Sequence, residues 1–165
     1  MNLKKISYKF LIPLGGLLLL IIGFLGGSVY TNYLIKGNEY PANAVVKRVL
    51  DGDTIELDTG KTFRLNGITC PEKGEKYFQE AKDFTESKVL DEKVSLEYEE
   101  KYKRDAYKRL LGYVFVNGEN LNVELVKNGL CKVVIYKKRA KLIYQDELLE
   151  AEKEAKAKNL KIWNK

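Results

Sequence analysis

No histidine occurs anywhere in the 165 residues. That absence excludes a Ser-His-Asp triad, a Cys-His pair and any His-ligated zinc or haem. The two cysteines are too few for a four-thiolate zinc site or a disulfide scaffold. Neither an internal repeat nor a low-complexity tract is present. Any reaction must therefore be carried by carboxylates, arginines, lysines, tyrosines or a hard metal ion. The length allows one ordinary domain plus a tail.

What is there begins with charge, a net +6 and a pI near 9.1. It divides into separate signals. Residues 1–35 hold three lysines and no acid; residues 36–100 hold 10 basic and 15 acidic residues; residues 101–165 hold 16 basic and 8 acidic. A basic face, which would suit a polyanionic partner, is expected mainly from the carboxyl-terminal half.

Lys4, Lys5 and Lys9 flank a run from Phe10 to Tyr30 that carries no charge. As a helix rising about 1.5 Å per residue, the run is long enough for a hydrocarbon core roughly 30 Å thick. The basic flank predicts a cytoplasmic amino terminus, 1–9, a membrane anchor over 10–30 and a linker over 31–40. The domain over 41–165 is then extracytoplasmic. A cleaved signal peptide, with Gly26 and Ser28 as a small-x-small site, is the other reading and would make the domain secreted.

Beyond the linker, strand patterns cover Ala44–Leu50, Thr54–Leu57 and Lys61–Leu65, with the turn Asp51-Gly52 between the first two. Tyr77–Val89 has helical spacing. Val94–Tyr98, Leu111–Val116 and Cys131–Tyr136 return to strand character. Asn122–Asn128 is predicted to be a short helix with Asn122 as N-cap and Gly129 just past its end. Gln145–Asn159 is predicted to be a long helix burying Leu148, Leu149, Ala151 and Ala155, followed by Leu160, Ile162 and Trp163 as core anchors. Five main strands with interposed helices predict an α+β fold: a five-stranded Greek-key barrel of the OB type with three helices, preceded by one transmembrane helix.

A hard cation takes oxygen ligands. Asp53, just past a tight turn, offers one carboxylate, and the loop Thr69-Cys70-Pro71-Glu72 can add carbonyls and a second carboxylate. Arg64 and Arg109 have the planar fork that suits charge developing on a phosphodiester. Each residue also has a plainer reading. Asp51 and Asp53 can shape a turn, Glu72 can start a helix, Arg64 can be a strand ion pair and Arg109 a surface charge. Tyr107, Tyr113 and Tyr136 can pack or stack on bases. The run Lys137–Lys141 is a solvated loop or a phosphate contact. Cys70 and Cys131, if exported, can form a disulfide or remain two small buried residues.

Four segments occur in order: Asp51-Gly52-Asp53-Thr54; Thr62-Phe63-Arg64-Leu65; Gly67-Ile68-Thr69-Cys70-Pro71-Glu72; and Arg104 through Tyr113. With Glu152-x-x-Ala155 and Leu160-x-Ile162-Trp163, they resemble the staphylococcal nuclease (thermonuclease) family over residues 41–164. The resemblance implies a Ca2+-dependent hydrolase of DNA and RNA. Low sequence specificity, a preference for single strands, 3′-phosphate products and a monomeric state would follow. It implies that Asp53, Thr69 and the Cys70 carbonyl hold Ca2+, with Asp51 behind them. Glu72 would orient or deprotonate the attacking water, and Arg64 and Arg109 would stabilise the transition state. Tyr107, Lys108 and Tyr136 would meet the substrate. Thr69 departs from the family's usual aspartate, Lys108 from a glycine and Ala106 from a lysine, and Tyr136 aligns only with a one-residue shift. A catalytically weakened nucleic-acid-binding domain, or a structural envelope domain, are the alternatives.

Overall fold

The computed structural model describes residues 39–136 and 138–164. The segment expected to anchor the chain, 10–30, lies outside them. Among the described residues no helix is long and apolar enough to cross a membrane.

Strand β1 (Asn43–Asp51) buries Ala44, Val46 and Val49. The three-residue step from Val46 to Val49 breaks simple alternation. A register shift against β2 (Thr54–Leu57) absorbs the odd residue and keeps both valines inside. β3 (Thr62–Leu65) completes the expected meander. A two-residue strand β4 (Ile68–Thr69) follows, then helix α1 (Phe78–Val89), β5 (Lys93–Glu97), β6 (Leu110–Val116) and β7 (Glu119–Asn120). Helix α2 (Leu121–Lys127), β8 (Lys132–Val133), helix α3 (Gln145–Ala157) and a final 3-10 turn (Lys161–Trp163) complete the order.

The main sheet runs β3-β2-β1-β5-β6-β7. It closes on itself through a parallel pairing of β3 with β6, in which Phe63, Arg64 and Leu65 stand beside Leu110, Leu111 and Gly112. The result is a closed five-stranded barrel with three helices, as expected for an OB fold. Closure demands a glycine at 112, because a Cβ there would overlap the Glu97 carbonyl oxygen of β5. The barrel core of Val46, Ile55, Leu57, Phe63, Leu65, Val94 and Val114 continues into Ala81 and Val89 of α1, Leu121 and Leu125 of α2, and Leu148 and Ala151 of α3.

Helix α2 corrects one expectation. Its N-cap is Asn120, whose side chain accepts from the N–H groups of Asn122 and Val123. Asn122 is fully buried and does different work. Its Nδ2 donates to the carbonyls of Asn66 (2.9 Å) and Gly112 (3.3 Å), and its Oδ1 accepts from Val114 N–H (3.2 Å). One amide thus ties α2 to the seam where β3 and β6 meet. Gly129 (φ 68°) ends α2 as expected, with Leu130 N–H reaching back to Leu125 and Gly129 N–H to Val126.

Other departures have local causes. In α3, Leu148, Ala151 and Ala155 are buried but Leu149 is 40% exposed, one step off the stripe. Leu160, Ile162 and Trp163 are half-buried rather than core, because the final turn lies on the surface. Lys156 covers the Trp163 ring at 4.4 Å from its centroid. The strand expected over Cys131–Tyr136 shrinks to Lys132–Val133, paired only with the two residues of β4.

Replacing Asn122 by alanine would take its partner from the Val114 N–H and the Asn66 carbonyl, and leave the Gly112 carbonyl with the Asn66 N–H. Asn122→Ala is expected to cost about 2–3 kcal/mol, read as a lowered urea midpoint; a loss below about 0.5 kcal/mol would refute this account of the residue.

Candidate active site

The site begins at the turn between β1 and β2. Asp51 Oδ1 accepts from Asp53 N–H at 3.0 Å, which fixes the turn. The Asp53 carboxylate is only 5% exposed. Its Oδ1 accepts from Thr54 Oγ1 (3.1 Å) and faces Arg64 Nη1 (2.8 Å); its Oδ2 accepts from Cys70 N–H (2.7 Å). Sheet register supplies the arginine, since Arg64 of β3 pairs with Thr54 of β2. Burial pushes the Asp53 carboxyl up to about 7, and Asp51 adds to the rise. Arg64 and the Cys70 N–H pull the other way without cancelling the loss of water.

The turn is packed as tightly as it is bonded. A Cβ on Gly52 would come within 2.8 Å of Ala81 Cβ in α1 and 2.9 Å of Cys70 Cβ. Thr85 of α1 donates its hydroxyl to the Gly52 carbonyl at 2.7 Å. Cys70 is bonded to Cys131 by a disulfide. The bridge sits at the next rung of the β4–β8 ladder, beyond the pair Thr69 and Lys132. Of the two readings of the cysteines, the structure takes the bonded one.

Arg109 is positioned by its own loop. Asp105 Oδ1 accepts from the N–H groups of Tyr107 (2.9 Å) and Arg109 (3.0 Å), and Oδ2 from Arg109 Nε (2.6 Å). The contact at Nε uses the stem side of the guanidinium and leaves its outer edge for another partner. The Arg109 guanidinium carbon lies 5.4 Å from the Tyr107 ring centroid, and Tyr107 is 81% exposed. Lys108, between them, has φ 65°. A left-handed backbone favours glycine, and a lysine holds it at a cost of about 1 kcal/mol.

Arg64, Thr69, Tyr107, Arg109 and Tyr136 converge on one cleft of about 330 Å3. Glu72 is exposed and lines the neighbouring cleft, about 500 Å3, with Glu75, Lys76 and Tyr77. Thr69 borders both clefts, and Cys70 borders the second. Lys108 instead lines a smaller recess with Thr62, Tyr107 and Arg109. Asp51 touches the site through Asp53. Tyr113 is core: it is fully buried, donates to Glu99 at 2.5 Å and packs edge-on against Tyr144.

The oxygen donors around Asp53 suit a hard cation and no soft one. The Asp53 carboxyl is raised chiefly by its loss of water, with Arg64 opposing and Asp51 adding to the rise. Among the described residues, however, no three Asp, Glu, Cys or His side chains come together as a ready-made metal centre. Thr69, next to Cys70 on β4, carries a hydroxyl and not a carboxylate.

Residues 62–165 match the profile of the staphylococcal nuclease homologue family. The chain belongs to that family. A thermonuclease of Staphylococcus hyicus is 34% identical to it, over 98% of this chain and 99% of that protein. A thermonuclease of Staphylococcus intermedius is 33% identical, over 99% and 100%. Endonuclease YncB of Bacillus subtilis (strain 168) is 32% identical, over 79% and 65%. The chain is accordingly a hydrolase of the staphylococcal nuclease type.

Asp105 and Tyr102 escaped the sequence reading, and Arg139 entered it only as part of the basic run 137–141. Asp105 could have been found, because it lies four residues before Arg109 within the quoted motif. Tyr102, which packs against the cleft residue Arg139, carries no local signal that separates it from an ordinary surface residue, and the basic run around Arg139 does not single that residue out.

The disulfide joins residues 61 apart. Loop-closure entropy alone gives such a bridge about 4 kcal/mol. Reduction, or Cys131→Ser, is expected to lower the denaturation midpoint accordingly. Equal midpoints with and without reductant would show that the bridge adds nothing in solution.

Proposed function

We propose that this chain is a Ca2+-dependent, extracytoplasmic nuclease that hydrolyses DNA and RNA with low sequence specificity, prefers single strands and leaves 3′-phosphate ends. One observation carries the reading. Arg64 and Arg109, from segments far apart in the sequence, line a single cleft beside two exposed tyrosines, with Asp53 bonded to one of the arginines.

Each arginine is held at one edge by an acid, Arg64 by Asp53 and Arg109 by Asp105. The guanidinium planes are therefore oriented before substrate arrives. Donors that need no reorientation stabilise charge developing on phosphate oxygens. Tyr107 and Tyr136 offer ring faces to bases, which tolerates any sequence and favours unpaired strands. Lys108, in the smaller recess that shares Tyr107 and Arg109 with the cleft, would add a positive charge near the strand. Glu72, exposed beside Thr69 and Cys70, would orient the attacking water or take its proton. Asp53 would hold Ca2+ with Thr69 and the Cys70 carbonyl, and Asp51 would support Asp53. When bound, the cation neutralises phosphate charge and lowers the pKa of water.

The location rests on two supports. The uncharged run 10–30 with its basic flank suits a single-pass anchor with the amino terminus inside. The Cys70–Cys131 bond suits an oxidising compartment. The domain would act there as a monomer.

The full chain should degrade denatured DNA with Ca2+ and lose that activity in EDTA. Arg109→Ala should lower kcat by about 100-fold or more. DNA binding without metal-dependent cleavage would instead establish the weakened-domain reading that Thr69 favours. Thr69→Asp restores the missing carboxylate and should lower the Ca2+ concentration for half-maximal activity; an unchanged or higher midpoint would refute the account of that position.

A further inference from the structure

The cleft holds a third arginine, Arg139, which the sequence offers only as one member of a basic run that is either solvated or in contact with phosphate. The Arg139 guanidinium carbon lies 4.6 Å from the Tyr102 ring centroid and 4.7 Å from that of Tyr136. A turn folds it back, with Arg139 N–H donating to the Tyr136 carbonyl at 2.9 Å. Arg139 lines the same cleft as Arg64 and Arg109. Among the described residues Arg139 has no carboxylate partner, whereas Arg64 and Arg109 each have one.

We infer that Arg139, held by Tyr102 and Tyr136, is a subsite for a second phosphate of a nucleic-acid strand, next to the phosphate met by Arg64 and Arg109. The inference rests on the nuclease reading and extends it to the number of phosphates bound. Tyrosine rings restrain a guanidinium through its face and leave its charge in place. Its N–H donors lie in the plane, along the edges, and stay available for two parallel bonds to phosphate. A carboxylate would have fixed the side chain equally well but would have removed the charge. Tyr136 and Tyr102 are 59% and 37% exposed, so the same rings retain surface for a base. The arrangement thus selects a strand with at least two phosphates over a ligand with one.

The test is binding in EDTA, which separates it from catalysis. The full chain is titrated onto a labelled single-stranded oligothymidylate between about 50 and 200 mM salt. Arg139→Ala should weaken binding roughly tenfold at the low-salt end and flatten the log–log salt slope by about 0.7, the value for one lost phosphate contact on a single strand. Competition by a dinucleoside monophosphate, which has one phosphate, should be unchanged. Arg139→Lys should recover the slope and only part of the affinity, because charge returns without the planar fork. A wild-type slope in Arg139→Ala, or equal weakening toward both ligands, would overturn the inference. Absence of Ca2+-dependent cleavage by the unmodified chain would overturn the nuclease reading and leave the slope measurement standing.

Discussion

A single buried carboxylate organises this molecule. Asp53 has lost nearly all contact with water, and stripping a carboxylate of water costs several kcal/mol unless donors replace it. The donors come from three places: Thr54 on β2, Arg64 on β3 and the Cys70 backbone beyond β4. None can drift without leaving the charge exposed to an apolar surrounding. Asn122 locks the barrel seam from the far side. Thr85 and the disulfide close the turn and the loop from theirs. The contacts that build this end of the cleft converge on one buried charge.

The two cleft arginines are prepared in unlike ways. Arg64 inherits its place from sheet register and shares its partner with the proposed cation. Arg109 is held by a self-contained loop in which Asp105 binds both backbone and side chain. The acid near Arg64 belongs to the negatively charged stretch 36–100, while Arg109 and Arg139 belong to the positively charged stretch 101–165. Folding apposes the two. The modest net charge of the whole chain conceals a cleft whose described lining is cationic, with Arg64, Arg109 and Arg139 against one acid, Asp105.

Much of this was legible in the residues, and the exceptions have physical reasons. The strands of the barrel follow from apolar alternation and from the Asp51-Gly52 turn. The buried stripe of α3 follows from helical spacing at Leu148, Ala151 and Ala155. Asn120 and Asn122 are equally good caps by local chemistry. Both are buried, and only the partners that the whole fold brings to each side chain separate them. Cys70 and Cys131 meet because β4 and β8 align in one register, and pairing across 61 residues leaves no local trace. Val134 to Tyr136 have strand-like composition but no partner strand. Arg139 lies in a basic run whose sequence is the same whether its members are solvated or stacked on rings. Asp53, Arg64, Tyr107 and Arg109 stand out in the sequence because short motifs carry them, whereas the pairing of Asp53 with Arg64 is set by sheet register.

The Cys70–Cys131 bond also decides what a cut would do. The segment between β5 and β6 is largely exposed, the kind of place where proteases nick a folded chain. It lies inside the loop that the disulfide closes. Cutting any one peptide bond from 71 to 130 leaves two pieces that remain covalently joined. Arg64 would stay on one piece and Arg139 on the other, yet neither could diffuse away. An enzyme exposed to proteolysis thereby keeps both walls of its cleft in one molecule after the chain itself has been broken.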